Sequence, residues 1–198
     1  MSKFESPHVP AATPRMGNIL TRFIGRCLLR AIGWKISGTL PDVKKTILIG
    51  FPHTSNWDFY IAMGFMLSLG VKFSWMMKKE AFFWPLGPLW KVMGGIPIDR
   101  KAKTDIIEQV TDRIHAADKV LLGITPEGTR TKVGDYKKGY LRIAYAADIP
   151  IFIVGLNGPD KTVVLDRIWP VTGDADVDNA ALKTYIDDTY IGIRPEKA

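Results

Sequence analysis

Apolar positions change rhythm along the chain. Between Pro14 and Gly33 they recur at helical spacing: Ile19, Leu20, Phe23, Ile24, Cys27, Leu28, Ala31 and Ile32 share one face, and Arg15, Asn18, Arg22, Arg26 and Arg30 share the other. With Thr13 as N-cap, Pro14 at the first helical position and Gly33 near the end, the pattern predicts an amphipathic interfacial helix within residues 14–35. Ahead of it, residues 1–13 carry Pro7 and Pro10 among small and polar residues with no period, so they are expected to be a disordered lead-in.

Over residues 36–198 strand and helix signals alternate. Lys45 to Phe51 reads as a buried strand and Trp57 to Leu69 as a helix; the strict alternation from Val71 to Met77 predicts a strand. Further strands are expected at Ile96–Ile98, Val120–Ile124, Ile151–Leu156 and Thr162–Leu165, with helices at Thr104–Ala117, Lys138–Ala147 and Asn179–Tyr190. This alternation predicts an α/β fold: one domain over 36–198, with a mixed β-sheet flanked by helices and the amphipathic helix in front of it.

A length of 198 residues with 46% hydrophobic and 24% charged composition suits one well-buried domain. Its single cysteine, Cys27, closes no internal disulfide, and no signal-peptide pattern opens the chain; together these lead us to expect the cytoplasmic side. The apolar run Phe59–Val71 is shorter than the roughly 20 residues a spanning helix needs. A second tract, Ala81–Ile98, is broken by Pro85, Pro88, Pro97 and the Gly94–Gly95 pair.

Charge changes this picture. The net +7 is unevenly placed: residues 1–45 hold 8 Lys or Arg against 2 acids, and the remainder 19 against 18. The all-positive polar face of the first helix suits anionic lipid headgroups; a helix docked on the body with a solvated face is the other reading. Because the excess lies on one helix and is not interleaved with exposed aromatics, no nucleic-acid partner is expected. The tract Phe82–Met93, with Trp84 and Trp90, reads equally as the wall for an acyl chain, a seat at the headgroup boundary or plain core.

Candidate chemistry starts at Phe51-Pro52-His53-Thr54-Ser55-Asn56-Trp57-Asp58, where a strand ends and a helix begins. A carboxylate in the first turn can fold back to the imidazole, fix its tautomer and leave the other ring nitrogen to take a proton. Two further segments follow strand ends, Gly94 to Arg100 and Thr125 to Arg130. Loops leaving strand ends in a layered α/β fold gather at one rim, where Arg100 and Arg130 would grip a phosphate in bidentate fashion. A surface ion pair of Arg100 with Asp99 or Asp105, and simple exposure of Arg130, are the alternatives.

In order and spacing these segments resemble the glycerolipid acyltransferases, the group that includes bacterial 1-acyl-glycerol-3-phosphate acyltransferase. The His-to-Asp spacing matches at His53 and Asp58, the Ile-Asp-Arg ending at Ile98 to Arg100, Pro-Glu-Gly-Thr-Arg at Pro126 to Arg130, and the proline before an apolar strand at Pro150 to Val154. The resemblance covers about residues 48–156 and departs from the pattern at Pro52, Pro97 and Thr125. It implies His53 as base and Asp58 as its orienting partner, with Arg100, Glu127, Gly128, Thr129 and Arg130 holding the acceptor's phosphate. Lys138-Gly139 looks like the family's lysine and glycine after the third motif.

The implied reaction moves a fatty acyl group from acyl-CoA or acyl carrier protein to a lysolipid acceptor, by default 1-acyl-glycerol-3-phosphate giving phosphatidic acid, without metal or cofactor. Anionic lipids on the cytoplasmic face of the cell membrane would be the peripheral docking surface. Another hydroxyl acceptor, or a non-catalytic lipid-binding protein, are the rival expectations.

Overall fold

The structure, a computed structural model, describes residues 6–52, 55, 57–99, 105–128 and 133–194, and for Phe51 the backbone alone. Seven strands form one sheet in the order β1 (Lys35–Gly38), β7 (Thr162–Trp169), β6 (Ile151–Asn157), β2 (Lys45–Phe51), β5 (Val120–Ile124), β3 (Ser74–Lys78) and β4 (Gly95–Ile98). Neighbours are parallel except β6 and β7, so the sheet is mixed, as expected. Both outermost strands, β1 and β4, are four residues long, and β4 contains Pro97.

The middle strands are apolar at almost every position because both faces are covered. Ile47, Ile49, Leu122, Ile151 and Ile153 face one cluster, which takes in side chains from α4 (Ile106–Ala116), α5 (Gly139–Ala147) and α6 (Ala175–Thr189). Leu48, Leu121, Phe152 and Val163 face the other, built from α1 (Ile19–Ala31) and α2 (Trp57–Leu69). Truncating one of these fully buried side chains to Ala would cost about 2–5 kcal/mol.

Beyond its first turn, helix α2 is apolar around most of its circumference because the sheet lies on one side and α1 on the other. Close approach of the two helices depends on Gly25: a Cβ there would lie 2.5 Å from the backbone nitrogen of Ser68. Docking along Gly25 and Leu29, which are buried, turns the apolar face of α1 outward; Ile19, Leu20, Phe23, Ile24, Leu28 and Ile32 are all exposed.

Two expectations for the N-terminal region need correction. The helix starts later than Pro14, with Asn18 as N-cap in a reciprocal capping box with Thr21, because residues 14–16 pair with 70–72 instead. Nor are residues 6–13 a disordered lead-in. Val9 and Thr13 are buried, the Leu40 amide donates to the His8 carbonyl, and the Ala12 amide donates to Asp42. A segment of successive turns held by hydrogen bonds and one apolar anchor has no periodicity for a sequence reading to detect.

Strand β1 and helix α3 (Leu86–Met93) were not expected, and α6 starts at Ala175, earlier than Asn179, because Asp174 caps it. Polar groups hold α6 in place. Buried Asn179 donates to Asp135 (2.6 Å) and to the Tyr136 carbonyl (3.1 Å) and accepts from the Tyr140 hydroxyl (3.0 Å). Among the described residues, no helix is long and apolar enough to cross a membrane.

Candidate active site

Strands β2 and β5 are parallel neighbours, with Ile49 opposite Ile124, so the chain leaves both at the same edge of the sheet. β3 and β4 point the same way and deliver Asp99 to that edge. The three motif-bearing loops therefore share one rim, as their positions after strand ends suggested.

After β2, Ser55 and Asp58 organise the start of α2. The Ser55 amide donates to Asp58 Oδ2 at 2.9 Å, the Trp57 amide donates to Ser55 Oγ at 3.2 Å, and both side chains are buried. These bonds turn the Asp58 carboxylate back over the strand-to-helix connection, in the positive field of a helix N-terminus. His53 lies outside the described residues.

After β5, Thr125 to Gly128 forms a tight turn closed by the Gly128 amide donating to the Thr125 carbonyl at 3.2 Å. Gly128 has a φ of +63°, and a Cβ there would lie 2.7 Å from Lys137 Nζ, so a side chain would be strained as well as blocked. The Lys137 amide donates to the Pro126 carbonyl at 2.9 Å, folding the following loop back over the turn. Glu127 is buried; burial and then the Glu127 and Asp187 carboxylates push the Tyr136 hydroxyl's pKa up.

At the end of β4, Asp99 is braced by Lys79 (3.2 Å) and by backbone bonds to the Gln109 side chain on α4. Asp105 pairs with Arg142 at 3.5 Å. Arg100, Thr129 and Arg130 lie outside the described residues.

Asp58, in the first turn of α2, and Glu127 and Gly128, in the turn after β5, thus follow the ends of adjacent strands at one rim, whereas Lys138 does not reach toward them through any described contact. Its ammonium is paired with Asp176 in the first turn of α6. The lysine lying across the Glu127–Gly128 turn is Lys137, which the sequence reading passed over. Its signal was the Lys-Lys doublet, but choosing between the two needed the fold-back onto Pro126. Among the described residues, no group of three His, Cys, Asp or Glu side chains converges as metal ligands would.

The fold is similar to the crystal structure of the 1-acyl-sn-glycerophosphate (LPA) acyltransferase PlsC from Thermotoga maritima, with a TM-score of 0.59 and 16% identity over 86% of this chain and 78% of that one. No curated protein matches. The family model described as Acyltransferase matches residues 35–157, which run from β1 through β6 and include all three rim loops, and the chain belongs to that family.

Proposed function

We propose that this acyltransferase moves a fatty acyl group from a thioester donor, acyl-CoA or acyl carrier protein, to a hydroxyl of a lysophospholipid-type acceptor, with 1-acyl-glycerol-3-phosphate as the first candidate. The observation that carries this reading is the buried Asp58 carboxylate, turned back onto the connection that contains His53.

In this reaction Asp58 holds the His53 imidazole in one tautomer, and the other ring nitrogen takes the acceptor's hydroxyl proton. The oxygen attacks the thioester carbonyl carbon, the C–S bond breaks, and the imidazolium returns the proton to the leaving thiolate. A thioester is already activated, so orientation, proton removal and stabilisation of the developing oxyanion are sufficient. Arg100, Glu127, Gly128, Thr129 and Arg130 form the acceptor's phosphate site in this reading. Lys137, lying over Gly128, takes the place first given to Lys138.

The outward apolar face of α1 supports a membrane role for that helix. No acidic residue occurs between Glu5 and Asp42, and Arg26 and Arg30 lie on the same helix as this face. Such a helix lies in the interface of an anionic bilayer. The cytoplasmic leaflet supplies such a surface.

Release of free thiol from acyl-CoA, followed with purified protein and a lysolipid acceptor, tests the catalytic reading. His53→Ala should lower turnover by about two to four powers of ten with folding preserved. Undiminished turnover in that variant would remove the assignment. Lys137→Met should raise the acceptor's KM more than Lys138→Met does, with the donor's KM little changed; the reverse order returns the role to Lys138.

A further inference from the structure

We propose that α3 and the segment leading into it form a second bilayer-docking surface, independent of α1, that seats the rim of the sheet against an anionic membrane. This goes beyond the catalytic reading and does not require it. Helix α3 buries only Gly87 among its residues. Gly87 lies against the backbone of Phe82 in the segment leading into α3, where a Cβ would be 2.4 Å from the carbonyl oxygen, and the Phe82 ring in turn lies against Gly95 of β4; Trp90 and Met93 are half-buried while most of the other side chains are exposed. Trp84 is 84% exposed, Val92 70%, Phe83 58% and Leu89 49%. A short, largely apolar element with this exposure is not what a water-facing surface selects.

Position and charge identify the occupant. The segment leaves the C-terminal end of β3, at the edge where the β2 and β5 loops also emerge, and α3 runs back from there along the sheet to the start of β4, where Gly94 lies against Phe73. Trp57 and Tyr60, in the first two turns of α2, are likewise exposed near that edge, and Phe59 meets Trp75 of β3 edge-on with ring centroids 6.3 Å apart. Tryptophan and tyrosine are the residues enriched where water meets hydrocarbon. From Val71 to Met93 the chain carries Lys72, Lys78, Lys79 and Lys91 against the single acid Glu80, with Lys79 paired to Asp99 at the end of β4.

Lysine beside exposed aromatics fits lipid phosphates, whereas protein–protein interfaces are depleted in lysine. An acyl chain lying along the rim would not cover side chains on the outer side of α3. Seated this way, the rim meets lipids from the side, and an acceptor with one acyl chain reaches the loops without crossing bulk water.

The test is co-sedimentation of the full chain with vesicles of phosphatidylcholine containing phosphatidylglycerol. Trp84→Ser/Val92→Ser removes exposed apolar area, so its urea midpoint should stay at the wild-type value while its partition coefficient falls about tenfold or more. Lys91→Glu keeps the apolar surface and should weaken binding to the anionic vesicles but not to phosphatidylcholine alone. Unchanged partition in both variants overturns the proposal. So does sedimentation showing a vesicle-free wild-type dimer that the double variant dissociates, since the surface would then belong to a second copy. Thiol release measured in detergent reads the catalytic reading separately, so failure of one leaves the other decided.

Discussion

Helices α1 and α6 each close one face of the same sheet, and they do it with opposite chemistry. α1 lies on α2 through Gly25 and Leu29 and leaves a row of large apolar side chains in the open. α6 turns Leu182 and Ile186 into the core and adds a buried polar clasp: Asn179 ties α5 to the 135–136 loop, and Asp178 accepts from Tyr145, Thr172 and Gly173. Amphipathicity alone does not distinguish the two cases. Which face is turned outward does: α6 keeps Leu182 and Ile186 inside, whereas α1 leaves most of its large apolar side chains exposed.

The largest effect should come from breaking the clasp. Asn179→Leu leaves Asp135, the Tyr136 carbonyl and the Tyr140 hydroxyl without the amide they share, and should cost about 2–3 kcal/mol in urea unfolding. An unchanged midpoint would mean that α6 is held by its apolar side alone.

Next, Gly25→Leu forces a side chain into the backbone of α2 and should cost about 1–3 kcal/mol. Vesicle binding should fall with it, because α1 can no longer lie in its seat. A variant that binds vesicles normally would show that the helix works as a tethered peptide and not as part of a rigid face.

Acid should separate the two helices further. Burial pushes the Asp178 carboxyl up, but hydrogen bonds from Tyr145, Thr172 and Gly173 outweigh it and hold its pKa below the ordinary carboxylate value. Its stabilisation is therefore present at neutral pH and is lost as pH falls below about 4 and on through the folded-state value. Asp178→Asn should be less stable than wild type at neutral pH and lose less on acidification; parallel unfolding curves at both pH values would count against the assignment. The smallest effect on folding is expected from Phe23→Ser on the open face of α1, within about 0.5 kcal/mol of wild type. Its vesicle affinity should drop all the same.

How much of this was legible in the sequence follows from burial. β2, α2 and β5 have the expected limits because strands covered on both sides, and a helix between two layers, leave continuous apolar runs. β1 was missed because Lys35-Ile36-Ser37-Gly38 is a largely exposed edge with no alternation to detect. α3 was missed because its prolines read as breakers. Pro85 and Pro88 stand at the N-cap and in the first turn, where the helix needs no backbone donor, so they start it.

At the candidate site, the sequence put Asp58 in the first turn of α2, and it stands there with its carboxylate accepting from the Ser55 amide, while His53 lies outside the described residues. That Lys137 and not Lys138 lies over Gly128 was not visible, since it depends on the Lys137 amide reaching back to the Pro126 carbonyl. The outward tilt of α1 was hidden for the same kind of reason: a helical period tells which residues lie together and not which way they point.

The sheet's lateral limits bear on how copies of this chain meet. Each ends in a strand four residues long, and on one side Pro97 subtracts a backbone donor. Another molecule seeking to lengthen the ladder finds little to grip at either end. Extension of the sheet from copy to copy is thereby disfavoured at both ends, which protects the chain from fibre-like stacking at high concentration.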